Sequence, residues 1–229
     1  TLGSRIKKAA ESVACVWSTA TFQPVAPIIR HASRLRAAEF SPDGRRLALR
    51  SDREVLLFDA QTGQPEPWPV KWEQPVVHIG FSRDGRWVAV HSGRCDPQTG
   101  IVEHSTTRIY HAATGEPSTP RLEAGQVRFL QFSPDGRWLV TQGFDPELSA
   151  QTRWTEKLAR VQVWDVATGQ PKSPILRPDD TQFWTSFTAD SSRLFVINQT
   201  QVAQVWDILA HQPLPPPTLA DKNELPCAF

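Results

Sequence analysis

The chain has 229 residues, enough for one large domain with a sizeable core, and its 25 basic and 24 acidic residues leave a formal charge of +1. That balance gives no electrostatic reason to expect nucleic acid or an anionic membrane as the main partner, and no apolar run approaches the roughly 20 residues of a membrane helix. The three widely spaced cysteines, Cys15, Cys95 and Cys227, form neither a disulfide framework nor a zinc signature; with no signal-peptide pattern, they point to a reducing, cytoplasmic compartment.

Along the chain the same phrases return in the same order. ACVWS at 14–18 predicts a strand ending in an aromatic, and STATFQP at 18–24 a turn closed by Pro24, so residues 1–31 read as the latter part of a repeat. The first full unit, 35–72, carries FSPDGRRLA at 40–48, VLLFD at 55–59 and DAQTGQP at 59–65. The second, 76–123, carries FSRDGRWVA at 81–89, TRIYH at 107–111 and HAATGEP at 111–117. The third, 127–177, carries FSPDGRWLV at 132–140, VQVWD at 161–165 and DVATGQP at 165–171. The fourth, 183–219, is worn: FTADSSRLF at 187–195, AQVWD at 203–207 and DILAHQP at 207–213. ELPCAF ends the chain with Phe229 where Phe40, Phe81 and Phe132 stand, so 225–229 reads as the start of a further unit.

Each phrase has a physical reading. Ser-Pro-Asp-Gly fits a type I turn: Ser bonds back into the turn, Pro presets φ, Asp tolerates the bridge region, and Gly takes the φ > 0 site that follows. Apolar residues on both sides make it a β-hairpin. Thr-Gly supplies a second φ > 0 residue after the aromatic strand, so Phe22 and His211, which replace that Gly, predict strained or altered turns. Prolines gather on the last strand of each unit, and the 20 Pro against 12 Gly are largely accounted for there. Proline offers no N–H to a neighbouring molecule, which suits an outer edge. Each unit is therefore a four-stranded antiparallel meander of roughly 40 residues, the period of a propeller blade. The expected fold is all-β, one domain over 1–229, with four full units and a partial unit at either end.

Trp-Asp at 164–165 and 206–207, downstream of FSPDGR hairpins, resembles the WD-repeat β-propellers, and D-x-x-T-G-Q-P resembles the bacterial form of that repeat. The resemblance covers nearly the whole chain. It implies a rigid, non-catalytic platform for protein partners within a larger multidomain signalling or regulatory protein, in keeping with a chain that contains no Met. The family commonly ties each blade with a Trp, a Ser or Thr, a His and an Asp. Here only His31 sits where that His belongs, Phe58 and Tyr110 replace Trp, and His111 replaces Asp. Apolar packing is expected to carry more of the stability.

Length variation indicates where a partner is held. Phe40 to Phe58 and Phe187 to Trp206 are short spans, whereas Phe81 to Tyr110 and Phe132 to Trp164 are longer by about ten residues. The surplus falls in RCDPQTGIVEH (94–104) and DPELSAQTRWTEKL (145–158), second-to-third-strand connections on the face opposite the FSPDG and TGQP turns. Long loops on a rigid scaffold are where binding residues concentrate. The expected contacts are Arg94, Asp96, His104, Arg153, Trp154 and Lys157, with Trp154 as an aromatic anchor. No catalytic, cofactor or metal site is expected: no G-x-S-x-G, P-loop or H-E-x-x-H occurs, and the spacing of His91, Cys95 and His104 matches no metal signature. The alternative is a propeller enzyme, a hydrolase or lyase, with a central-funnel active site built from acidic and His side chains.

Overall fold

A computed structural model describes residues 12–68, 70, 72–95, 102–144, 159–178, 183–198, 203–210 and 212–214. Among these residues the chain is all-β, with no helix and therefore none long and apolar enough to cross a membrane. The strands form five antiparallel sheets in chain order. Sheet 1 is β1 (Ser12–Ala14) with β2 (Ile29–His31). Sheet 2 is β3 (Ala37–Phe40), β4 (Arg46–Arg50), β5 (Val55–Asp59) and β6 (Pro65–Glu66). Sheet 3 is β7 (Val76–Phe81), β8 (Trp87–Cys95) and β9 (Val102–His111), and sheet 4 is β10 (Gln126–Phe132), β11 (Trp138–Phe144) and β12 (Ala159–Asp165). Sheet 5 is β13 (Phe183–Phe187), β14 (Arg193–Asn198), β15 (Ala203–Asp207) and β16 (Gln212–Pro213). The C-terminal segment 225–229 and His211 lie outside the described residues.

The turn chemistry repeats atom for atom. Ser41 donates its hydroxyl to Asp43 Oδ1 at 2.6 Å, and that oxygen also accepts from Arg45 N at 3.0 Å. Ser82 with Asp84, Ser133 with Asp135 and Thr188 with Asp190 do the same. These bonds lower the Asp43 carboxyl, and at Asp190 they draw the pKa down to about 2. Gly44, Gly85 and Gly136 take positive φ as the turn demands. Every hairpin then pairs its phenylalanine with an aliphatic residue: Phe40 with Leu47, Phe81 with Val88, Phe132 with Leu139, Phe187 with Leu194. Two of the Thr-Gly turns are capped by the Asp that ends the third strand, His111 standing there in the unit between them. Asp59 Oδ1 accepts from Thr62 N and Oγ1, and Asp165 Oδ1 from Thr168 N and Oγ1. Bonds from Ala60 N to Arg45 O, Ala112 N to Arg86 O and Val166 N to Arg137 O lie at 2.8–2.9 Å and set both turn types on one side of the sheets.

Four apolar cores sit at the four sheet junctions. Leu47, Leu49 and Phe58 of sheet 2 pack on Val16 and Ile29 of sheet 1. Val88, Val90 and Tyr110 of sheet 3 pack on Ala48, Val55, Leu57 and Trp68. Trp164, Leu139 and Leu130 of sheet 4 pack on Ala89, Ile109 and Leu122. Leu194, Val196 and Phe187 of sheet 5 pack on Val140, Val161 and Val163. Alternate residues of one strand serve opposite junctions: Leu47 faces sheet 1 and Ala48 faces sheet 3, as the two-residue period requires. His31, at the expected family position, turns its Nδ1 to Ser33 and its Nε2 to Glu54 Oε2 at 3.3 Å.

Two expectations change. Sheets 3 and 4 have three ladder strands rather than four; their proline segments are held by isolated bridges at Tyr110–Pro117 and Thr107–Leu122, and at Trp164–Pro171 and Val161–Leu176. Pro117, Pro120, Pro171 and Pro174 remove the N–H groups that a continuous ladder needs. In sheets 2 to 5 the aromatic near the end of the third strand still lies opposite a proline, Phe58–Pro65, Tyr110–Pro117, Trp164–Pro171 and Trp206–Pro213, and Trp17 bridges Pro24 in the same way beside sheet 1. The second change is that the 94–104 insertion is not wholly loop. β8 runs to Cys95 and β9 starts at Val102, with Arg94 paired to Glu103, so the surplus residues lengthen a hairpin.

Phe22 takes φ 56°, as its place in the Thr-Gly turn predicts, and its side chain is exposed. Phe22→Gly removes left-handed strain and gives up no buried area, so a gain of about 1 kcal/mol is expected in urea denaturation. Ser191 also takes positive φ, 61°, but is compensated: buried, it accepts from Asp135 N of the neighbouring turn at 3.1 Å.

Candidate functional site

The expected rim contacts divide by what the structure describes. Arg94 is exposed on β8, and His104 lies on β9 two residues beyond Val102. Asp96, Arg153, Trp154 and Lys157 lie outside the described residues. Their flanking ladders are clear. β8–β9 closes at Cys95–Val102 and β11–β12 at Phe144–Ala159, so both insertions leave second-to-third connections of adjacent sheets. His91, at the base of the first insertion, is fully buried and sends Nδ1 to Thr107 Oγ1 at 2.8 Å. Among the described residues no three His, Cys, Asp or Glu side chains are grouped to hold a metal ion.

A cavity of about 510 Å³ lies elsewhere, where the first strands of sheets 2 to 5 come together. Its polar groups are Glu39 of β3, His78 of β7, Arg83 at the following turn and Gln131 of β10. Its apolar wall includes Phe81, Phe129, Phe132 and Phe187. Pairing fixes the directions. Glu39 lies opposite Ala48, which faces sheet 3, and Glu39 Oε1 accepts a long bond, 3.4 Å, from Phe81 N of that sheet. Burial raises the Glu39 carboxyl above its ordinary pKa, with the Phe81 N–H pulling the other way. Burial, helped by the Arg50 charge, lowers the His78 imidazole, so it is neutral at pH 7. Gly80 permits the close approach of β10 here: a Cβ on it would lie 2.8 Å from Leu130 Cδ1.

A wider groove of about 770 Å³ runs along the outer part of sheet 3. Trp72 and Tyr110 meet edge to face at 5.9 Å, with Arg108, Arg121, Glu73 and Glu116 around them. Burial raises the Tyr110 phenol. Two charges of each sign leave the groove with no preference for one.

Sequence reasoning centred on the insertions and did not single out Glu39, His78 or Phe129. The signal was present in the repeat itself. Counting back from the hairpin phenylalanine, one position holds Glu39, Gly80, Gln131 and Ser186, and another holds Ala37, His78, Phe129 and Trp184. Such variation at a fixed place, beside an invariant phenylalanine, marks a surface free to specialise.

No family model and no curated protein matches the sequence. Among solved structures, the crystal structure of the computationally designed Ika4 protein is similar in fold, with a TM-score of 0.53 and 19% identity over 81% of this chain and 98% of that one.

Proposed function

We propose that this chain is a WD-repeat β-propeller segment of a larger bacterial regulatory protein, and that it works as a non-catalytic scaffold for protein partners in the cytoplasm. The observation that carries the reading is the recurrence: five sheets in chain order, each junction filled by one apolar core, each third-strand aromatic opposite a proline. A stack with that repeat, curved by the ordinary twist of its sheets, is what a propeller consists of. Each sheet is a blade in this reading, 35–72, 76–123, 127–177 and 183–219 being the complete ones. The enlarged connections 94–104 and 145–158 then share one rim, with Arg94, Asp96, His104, Arg153, Trp154 and Lys157 as contacts. Double replacement Arg153→Ala, Trp154→Ala is expected to release a partner captured by the unmodified protein in a pulldown. Retention of every partner by the double variant would refute the rim assignment.

A second reading, an enzyme with its site in the central funnel, draws on the cavity whose wall includes both a raised carboxyl and a lowered imidazole. Two such groups, at Glu39 and His78, supply an acid and a base. Turnover of any ester, amide or glycoside substrate that disappears in Glu39→Gln would favour it over the scaffold.

A further inference from the structure

The geometry points to a site for a basic side chain, an arginine or lysine of a partner polypeptide, in the cavity between the first strands. It rests on the reading of the chain as a platform for protein partners, but the rim loops play no part in it, so it stands or falls separately from the rim assignment.

Glu39 is the anchor. It sits in the cavity wall with one long hydrogen bond, from Phe81 N at 3.4 Å, and makes no ion pair among the described residues. A half-buried carboxylate in that state is costly, which is why its carboxyl titrates high. Many other carboxylates are satisfied: Asp43, Asp84, Asp135 and Asp190 by their turns, Asp52 by Arg36 at 2.6 Å, and Glu66 by Arg46 at 2.8 Å. Arg46 bonds also to Gly85 O at 3.5 Å, and Arg50 bonds to Val76 O, so both cations are engaged by backbone carbonyls of the neighbouring sheet 3.

The surroundings select for a cation. Phe129 is 41% exposed at the cavity wall. Its ring face attracts an ammonium or guanidinium. Burial pushes His78 toward its uncharged form, so it adds little positive charge. Gln131 offers an amide oxygen beside it. Two cations oppose: Arg83, exposed at the adjoining turn, where solvent screens its charge, and Arg50, whose charge reaches His78 while its guanidinium is bonded to Val76 O. The volume, about 510 Å³, holds a single long side chain with part of its backbone rather than a folded element. Anions are disfavoured by Glu39, and a purely apolar side chain would leave that carboxylate dry and unpaired.

The test uses the whole chain and three capped tripeptides, acetyl-Gly-X-Gly-amide with X as arginine, norleucine or glutamate, titrated against the ¹⁵N-labelled protein by NMR. Saturable shifts at Glu39, Phe81 and Phe129 are expected with arginine alone. Glu39→Gln keeps shape and removes charge, so it should fold and bind the arginine peptide at least tenfold more weakly; a melting curve checks the fold. Arg83→Ala should bind at least as tightly as the unmodified protein. Equal binding by Glu39→Gln, equal binding of the norleucine or glutamate peptide, absence of saturable binding, or weakening by Arg83→Ala would each overturn the proposal. Arginine-peptide binding that persists in Arg153→Ala, Trp154→Ala separates this site from the rim.

Discussion

Trp164→Ala loses about 3–5 kcal/mol of stability, the usual cost of emptying a large buried aromatic site. Trp164 is 3% exposed and packs with Ile109, Leu122, Ala124 and Leu139 in the core between sheets 3 and 4. Its indole Nε1 donates to Thr141 Oγ1 at 2.9 Å, and both groups are buried. The truncation therefore leaves a cavity and an unpaired hydroxyl together, each with its own cost. For a domain of this size the melting temperature should fall by about 10 °C. Trp164→Phe isolates the polar part: most of the volume stays, the hydrogen bond goes, and a loss of about 1–2 kcal/mol remains. Trp206 gives the contrast. It is only partly buried, and its Nε1 is buried without a partner. Trp206→Phe removes an orphaned donor and is expected to be neutral or slightly stabilising by the same melting measurement. Equal losses from Trp164→Phe and Trp206→Phe would show that the Thr141 bond contributes nothing.

Acidification below pH 6.5 destabilises the fold through His91. The imidazole is fully buried, Nδ1 is bonded to Thr107 Oγ1, and Nε2 has no partner. Burial first, and the neighbouring His78 second, lower its pKa to about 3. Between pH 6.5 and 3 the unfolded chain binds a proton at this position that the folded chain refuses, so stability rises with pH across that window. It is fully present above 6.5. At pH 5 the loss from this group alone is about 2 kcal/mol. His78, half-buried and lowered by burial and by Arg50, acts in the same direction. Glu39 opposes both, because its raised carboxyl makes protonation favourable to the folded state. The aspartates of the turns, Asp43, Asp59 and Asp190, are lowered and act only further down, as pH falls below the ordinary carboxylate range. The pH 5–6.5 interval therefore reports on the histidines net of the opposing Glu39. Urea midpoints collected across it should slope upward with pH for the unmodified chain and flatten in His91→Gln. A slope unchanged by that substitution would assign the acid sensitivity elsewhere.

Local chemistry was legible from residues alone. Ser-Pro-Asp-Gly and Thr-Gly specify their turns through backbone geometry that depends on four or five neighbours, and the positive φ of Gly63, Gly115 and Gly169 follows. Phe22 shows the same rule working by exception. What could not be read depends on juxtaposition across sheets. Glu39 and Phe81 are 42 positions apart in sequence and meet only once sheet 2 stacks on sheet 3. The burial of His91 was not legible either: its β-strand register turns it into a junction, beside Thr107. The 94–104 stretch carries polar and turn-forming residues at its centre, which hid the strand pairing of Arg94 with Glu103 at its base. The thin fourth strand of sheets 3 and 4 follows from the prolines, although the number of bridges they permit does not.

The third-strand aromatics all lean the same way. Phe58, Tyr110, Trp164 and Trp206 each lodge against the preceding sheet, and Trp17, with none of the described residues ahead of it in that role, is 60% exposed. The array is thus laid like roof shingles and has a grain. Peeling from the N-terminal end must bare Phe58 as sheet 1 lifts, whereas peeling from the other end carries Trp206 away on its own sheet. A tether pulled from either terminus should meet unequal resistance, and the asymmetry is written into one recurring ring per sheet.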